Sequence, residues 1–292
     1  MYYLIYIPLY LISLLPFPVL YFFADGIYAI LYYVFGYRKK VVMTNLLIAF
    51  PGKSENERTR IAKDFYHNFV DTFIETIKML SMPEKSFAKR FSLNLDGMEK
   101  AYECGKPIHI VSMHNFNWEY ANWGLSRGLK YPLVVIYMPV GNKAFNKLVY
   151  DLRSRFGSKL IPAVNFRRNY IKYANTKHVL ANVGDQSPGN PATAYWTNFF
   201  GRPTAFVTGP EKGARSMDAA IVFAHFYPTD KRGYYHLDTE FLTDTPRTMA
   251  NGDITRLYIK FLERSIQKKP ANYLWSHRRW KHEYKESYGP LL

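Results

Sequence analysis

A single cysteine, Cys104, stands in 292 residues, so no intrachain disulfide and no cysteine-rich zinc site can form, and it reads as a structural residue. Histidines and acids do not cluster at ligand spacings, and no metal is expected. There is no Gly-x-Ser-x-Gly turn or other recognisable nucleophile setting, which removes the usual covalent route of acyl chemistry. Zinc-finger spacing and an aromatic RNA-binding motif are both missing, as are internal repeats and low-complexity tracts. Acidic residues are scarce. Asp and Glu number 23 against 39 Lys and Arg, a formal charge of +16, which implies anionic company: nucleic acid, anionic lipid or an acidic carrier protein. Charge of either sign is absent from the 22 residues Tyr2–Phe23.

That uncharged run, followed by a second from Gly26 to Tyr37, is long enough for a bilayer span. Pro8, Pro16 and Pro18 break or kink it, so a partly inserted hairpin or an interfacial helix stays open beside a span. Without a basic n-region or a small-residue cleavage site it reads as a retained anchor, residues 1–37, ahead of one catalytic domain, 38–292. Arg38-Lys39-Lys40 then places the rest of the chain on the cytoplasmic face.

What the chain has in plenty is aromatic: 17% of residues, 25 of them tyrosine, suited to surfaces apolar at one end and wet at the other. Ser54-Glu55-Asn56-Glu57 is a capping box ahead of a helix carrying Ile61, Phe65, Phe69, Phe73 and Ile77. From about residue 91 short apolar runs alternate with helical patterns. Strands are expected at Phe91–Leu95, Ile108–Met113, Leu133–Met138, His178–Val183 and Ala219–Phe226, and helices at Lys143–Arg155, Gly209–Met217 and Asp253–Lys268. The alternation predicts an α/β fold with a mixed, largely parallel central sheet flanked by helices.

The stretch Ile108–Glu119 carries the chemistry. A β-branched run ends near His114, Asn117 is placed to cap the next helix, and Glu119 falls in its first turn, where the helix dipole favours a carboxylate. On one helix His114 and Glu119 would point about 140° apart, so a strand feeding a short loop is needed to bring them together. A histidine at a strand's C-terminal edge, with a carboxylate on one ring nitrogen, is a general base that needs no protein nucleophile.

The ordered set of motifs resembles the bacterial lipid A biosynthesis (late) acyltransferases, related to the glycerophosphate acyltransferases. It runs from Tyr37-Arg38-Lys39-Lys40-Val41-Val42, Asn45-Leu46 and Ala49-Phe50-Pro51 to the His114-x4-Glu119 motif. Leu152–Gly157 with Ile161-Pro162, Asp185-Gln186, Phe199–Pro203, Thr208-Gly209-Pro210 and Trp275–Lys281 complete it. The resemblance covers nearly the whole chain and implies an O-acyltransferase. It would move a fatty acyl chain from a thioester, on acyl carrier protein or coenzyme A, to a hydroxyl of a lipid A precursor, with no cofactor beyond that co-substrate.

Carried over to these positions, His114 is the general base and Glu119 its charge partner, attack being direct without an acyl-enzyme. Arg153 is the candidate for oxyanion stabilisation or for an anionic substrate, or else a solvated helix arginine whose place Arg155 could take. Asp185 either orients a substrate hydroxyl or ties down its loop, and Arg202 with Pro203 meets a phosphate of the glycolipid, the glycine and proline here and in Thr208-Gly209-Pro210 having a conformational role as the alternative to direct contact. Trp275, Arg278, Arg279, Trp280 and Lys281 form a membrane or lipid-phosphate patch, or a solvated basic helix end packed by its tryptophans. The resemblance places the enzyme at a bacterial inner membrane, facing the cytoplasm, with no nucleic acid partner. Two alternatives remain: an acyltransferase for another lipid acceptor, such as an amino-acid lipid, glycerophospholipid or pigment ester, and a non-catalytic basic membrane-surface protein.

Overall fold

The computed structural model describes residues 1–173 and 176–292. Strands β1 (Phe91–Asn94), β2 (Ile108–Ser112), β3 (Leu133–Tyr137), β4 (Lys159–Pro162), β5 (Val179–Val183), β8 (Ala220–Pro228) and β9 (Tyr235–Thr243) form one seven-stranded sheet. Strands β6 (Tyr195–Phe199) and β7 (Arg202–Phe206) pair as a separate antiparallel hairpin. The sheet order is β1-β9-β8-β2-β5-β3-β4, and every neighbouring pair is parallel except β8 with β9. The chain is thus α/β with a mostly parallel sheet flanked by helices.

Every strand expected from the apolar runs is present, within a residue or two at its ends. Strands β4, β9 and the hairpin were not anticipated: β4 has four residues, and β9 alternates apolar positions with His236, Asp238 and Glu240, which dilutes its apolar signal.

Apolar α1 (Tyr2–Leu14) and α2 (Phe17–Ala29) are separated at Leu15-Pro16, and α2 continues into a π-helical turn, Ile30–Val34. Proline 16 is the N-cap and Pro18 sits in the first turn, where a missing N–H costs nothing. Leu20, Ala24, Tyr28 and Tyr32, spaced one helical turn apart, are buried in the core with the next helices. Those are α3 (Lys39–Ala49) and α4 (Glu55–Lys78), the latter opened by the expected capping box: the Glu57 N–H donates to Ser54 Oγ (3.2 Å) and the Ser54 N–H to Glu57 Oε2 (2.8 Å). After α5 (Glu84–Ala88) and α6 (Asp96–Glu103), α7 (Trp118–Gly128), α8 (Lys143–Ser154) and α9 (Phe166–Tyr170) lie on the sheet connections. Helix α10 (Gly209–Met217) precedes β8, and α11 (Asp253–Lys268) buries Tyr258, Ile259, Phe261 and Leu262 against it, with the rings of Phe223 and Phe261 4.9 Å apart. Each such buried side chain contributes about 1.5–3 kcal/mol. Glu211 in the first turn of α10 accepts from the Gly252 N–H (2.6 Å), the Thr255 N–H (2.9 Å) and Thr255 Oγ1 (2.6 Å), closing the start of α11.

Glu75, in the last turns of α4, is completely buried and joins three parts of the chain. It accepts from Tyr21 of α2 (2.8 Å), Tyr235 of β9 (2.6 Å) and the Asn117 side-chain amide (3.0 Å). Burial, aided by the charge of Asp71, pushes its carboxyl from 4.5 up to about 7, against the lowering effect of the three donors. An acid whose folded value is raised holds its proton more tightly when folded, so its stabilisation is complete below 4.5 and is lost as pH climbs through 7. Glu75→Gln is expected to remove a fall in unfolding free energy on the order of 3 kcal/mol over that window, measured by urea denaturation at stepped pH.

Candidate active site

Strands β2 and β5 are adjacent and parallel, with Ser112 in register with Val183, so the loops leaving them emerge side by side at the sheet's C-terminal edge. His114 stands on the first loop and Asp185 on the second. His114 Nδ1 lies 2.7 Å from Asp185 Oδ1, and the His114 backbone N–H donates to Oδ2 at 3.1 Å. With Nδ1–H donating to the carboxylate, the free lone pair lies on Nε2, for which no protein hydrogen bond is found among the described residues. The His114 side chain is 30% exposed and Asp185 1%.

Burial alone pushes His114 down, yet the charge and hydrogen bond of Asp185 outweigh it and raise the imidazole above its ordinary 6.5, with Arg153 opposing. Burial likewise pushes Asp185 up, but His114, through charge and two hydrogen bonds, and the charge of Arg279 hold it below the usual carboxylate range. Two other buried histidines, His109 and His225, are driven by burial to about 3 and about 4 and stay neutral.

The carboxylate on the His114 ring is therefore Asp185 and not Glu119, which corrects the charge pairing expected from the sequence. Asn117 caps α7 as expected, its side-chain oxygen accepting from the Glu119 and Tyr120 N–H groups (3.0 and 3.2 Å). From that first turn Glu119 takes Arg153 in a two-pronged contact: Arg153 Nε reaches Oε2 at 2.9 Å and Nη2 reaches Oε1 at 2.6 Å. The Trp118 indole also donates to Glu119 (3.1 Å). Arg153 is presented by the end of α8, whose carbonyls at Leu152 and Arg153 accept from Trp123 Nε1 and Asn122 Nδ2 (both 2.8 Å). The Arg153 Nη1 group is left free of this clamp.

A cavity of about 430 Å³ lies between α7 and the sheet. Small side chains, Ala121 on α7, Ala181 on β5 and Ala224 on β8, line it together with Leu125 and Leu133. His114, Glu119, Arg153 and Gln186 line it together with Ser112, Asn122 and Asn182, so two charged clusters face a space whose remaining walls are mostly apolar. Among the described residues no three His, Cys, Asp or Glu side chains are grouped to hold a metal ion. Cys104, at the end of α6, is not part of the lining.

The C-terminal stretch is a strap across both loops rather than a surface patch. Trp275 is fully buried, its indole donating to Pro270 O (2.7 Å), because its ring packs on Tyr273 and Phe50. Arg279 is 2% exposed, with its guanidinium 4.0 Å from the centre of the Phe206 ring and without a hydrogen-bond partner among the described residues. Trp280 is half-buried, stacked on Phe199, and only Arg278 and Lys281 of the expected patch are exposed. The expectation of a membrane patch thus fails for Trp275 and Arg279, which packing aromatic rings draw inside. The strap instead fixes the catalytic loops: the Leu274 N–H donates to His114 O (3.2 Å), the Phe116 N–H to Asn272 O (3.1 Å), and Ser187 Oγ to the carbonyls of Arg278 and Arg279. Asn45 of α3 holds the strap in turn, through Trp275 O and His277 O (2.8 and 2.7 Å).

Arg202 is exposed at the start of β7 and does not line the cavity; Phe200 in the same turn packs on Phe50. The participation of Arg279 beside Asp185 was missed, since the only signal was its place in a basic, aromatic tail.

The chain matches, over residues 1–282, the family described as bacterial lipid A biosynthesis acyltransferase. It is similar to the lipid A biosynthesis palmitoleoyltransferase of Escherichia coli (strain K12), 24% identical over 270 residues, 91% of this chain and 86% of that protein. The lipid A biosynthesis acyltransferase of Shigella flexneri gives the same figures, 24% over 270 residues, 91% and 86%. The lipid A biosynthesis lauroyltransferase of Escherichia coli (strain K12) is 23% identical over 276 residues, 94% of this chain and 89% of that protein.

Proposed function

The chain belongs to the bacterial lipid A biosynthesis acyltransferases, and from that premise we propose that it moves a fatty acyl chain from a thioester, on acyl carrier protein or coenzyme A, to a hydroxyl of a lipid A precursor at the mouth of the His114 cavity. The observation that carries this reading is a histidine held through Nδ1 by a buried carboxylate, on the wall of a cavity lined mostly by apolar side chains. An acyl chain fits the interior, and its thioester carbonyl then lies beside His114.

In this mechanism Nε2 of His114 takes the proton of the acceptor hydroxyl as its oxygen bonds to the thioester carbon. Asp185 stabilises the imidazolium that forms. The carbonyl oxygen gains charge in the tetrahedral intermediate, and the free Nη1 of Arg153 is the donor aimed at it. Collapse breaks the C–S bond, and the leaving thiolate receives the proton back from His114. No acyl-enzyme is formed.

The amino-terminal helices seat the enzyme on the inner membrane from the cytoplasmic side. One helix, Phe17–Val34, is long and apolar enough to cross a bilayer. Its inner stripe, however, packs on the catalytic body, and Asp25 pairs with Arg232 at 2.7 Å, so we place it along one leaflet with Phe22, Phe23, Ile30 and Val34 in the lipid.

The test offers the detergent-solubilised full chain acyl carrier protein and coenzyme A thioesters separately with a lipid A precursor, products read by mass spectrometry. Transfer supports the reading. Thioester cleavage with an unmodified precursor overturns the acceptor, and a trapped acyl-protein adduct overturns direct attack. Donor length is expected to follow the cavity. Ala181→Leu, which adds bulk to its wall, should shift preference toward donors shorter by two carbons, with relative kcat/KM changing roughly tenfold, as each methylene excluded costs about 0.8 kcal/mol.

A further inference from the structure

Glu75, a buried acid that the mechanism leaves unused, is tied to the catalytic clamp by an unbroken run of hydrogen bonds. The two ends of the Asn117 side chain do different things: Oδ1 accepts from the Glu119 and Tyr120 N–H groups and caps α7, while Nδ2 donates to Glu75 Oε2 at 3.0 Å. Both residues are completely buried. The cap fixes Asn117 to α7, and the bond to Glu75 fixes that first turn to α4. Glu119 lies in the same turn and holds Arg153 through Nε and Nη2.

Helix α4 holds the other parts of the site as well. Asn68, about two turns before Glu75 and so on the same face, donates through its side-chain amide to Ala271 O of the strap at 3.1 Å. From that point of the strap Asn272 O accepts from the Phe116 N–H, and the Leu274 N–H donates to His114 O. Beyond the last turn of α4, Met79 O accepts from Arg155 at the end of α8 at 2.8 Å, close behind Arg153. One helix thus carries the His114 loop, the first turn of α7 and the end of α8.

We propose that Glu75 is a positioning residue for acyl transfer: through Asn117 it sets where the Glu119–Arg153 clamp stands relative to the His114 imidazole, with α4 as their common frame. A buried acid is a poor choice for stability alone, because well-packed apolar side chains of similar volume often serve as well. What it adds is direction, since donors from α2, β9 and the α7 cap converge on its two oxygens and leave the carboxylate one place to sit. Base and oxyanion donor must meet one reacting carbonyl together, and a misplacement of about 1 Å costs on the order of a hundredfold in rate. The inference rests on the roles given above to His114 and Arg153.

The test is acyl transfer by the full chain in detergent, with kcat and KM read separately beside the urea unfolding midpoint. Asn117→Ser keeps a capping oxygen but cannot reach Glu75, and Glu75→Met keeps the length of the side chain without an acceptor. Each is expected to lower kcat roughly thirtyfold, with KM for either substrate changed by less than about twofold. Glu75→Gln keeps an oxygen for the Asn117 amide and should hold kcat within about threefold of the native value. Tyr21→Phe removes a different donor from Glu75, so it should lower the urea midpoint and leave kcat in place. Added to Arg153→Met, Asn117→Ser should cost less than about threefold more, because both remove the same aim. If folded Asn117→Ser keeps its kcat, or if every loss follows the urea midpoint with Tyr21→Phe among them, Glu75 is a brace only and the inference falls. A raised KM at constant kcat, or a full further loss in the double variant, overturns it as well. Should Glu75→Met not fold, Asn117→Ser and Glu75→Gln decide. Native kcat in Arg153→Met is a separate result: it removes the oxyanion role of the arginine, and the inference goes with it.

Discussion

With Asp185 replaced by asparagine, kcat is expected to fall by roughly three orders of magnitude while KM for either substrate changes little. Asp185 accepts from the ring and the backbone of His114 at once, so it sets both the tautomer and the orientation of the imidazole. An asparagine amide of the same shape can donate to Nδ1, which would put the proton on Nε2, where a base needs its lone pair. The pH profile carries a second, independent signature. A base works unprotonated, and His114 is raised above 6.5, so kcat/KM of the native enzyme should climb with pH through an ionisation above that value. Removing the Asp185 charge takes away what raises it, leaving burial and Arg153, and the residual activity should titrate at lower pH. An unchanged limb in a folded Asp185→Asn protein would remove Asp185 from the proton relay.

That pairing also marks the limit of what could be read from the sequence. The strand ending near His114, the Asn117 cap and the first-turn position of Glu119 are local properties of Ile108–Glu119, and each is where the pattern put it. Which carboxylate meets the ring is not local. It depends on β5 lying beside β2 with Ser112 opposite Val183, although β3 and β4 intervene in the chain. Asp185 was a candidate, but as a loop or substrate ligand, since a turn-like Ser187-Pro188-Gly189 follows it.

In the tail the patch reading fails and the packing one holds for the tryptophans, for a related reason. Alternating tryptophan and basic residues read equally as a membrane edge or as packed structure, and the choice is made by Phe199 and Phe206. The β6–β7 hairpin brings both beneath Arg279.

Glu119→Gln and Arg153→Met should each lower kcat roughly a hundredfold, and the double variant should be little worse than the poorer single one. The two side chains act as a unit: Glu119 grips the Nε and Nη2 side of the guanidinium and so aims Nη1, the group assigned to the developing oxyanion. Losing either the donor or its aim removes the same interaction, and effects of residues that act together do not add. The alternative, that Glu119 serves His114, makes a different forecast, because Glu119→Gln would then move the acid limb downward as Asp185→Asn does. On the geometry found, Glu119→Gln leaves that limb in place. Arg153→Met moves it to higher pH, since the arginine's charge is one of the influences holding the His114 imidazole down. Rate assays of the four proteins across pH separate the two arrangements. Additive losses, or a downward limb in Glu119→Gln, would return Glu119 to the histidine.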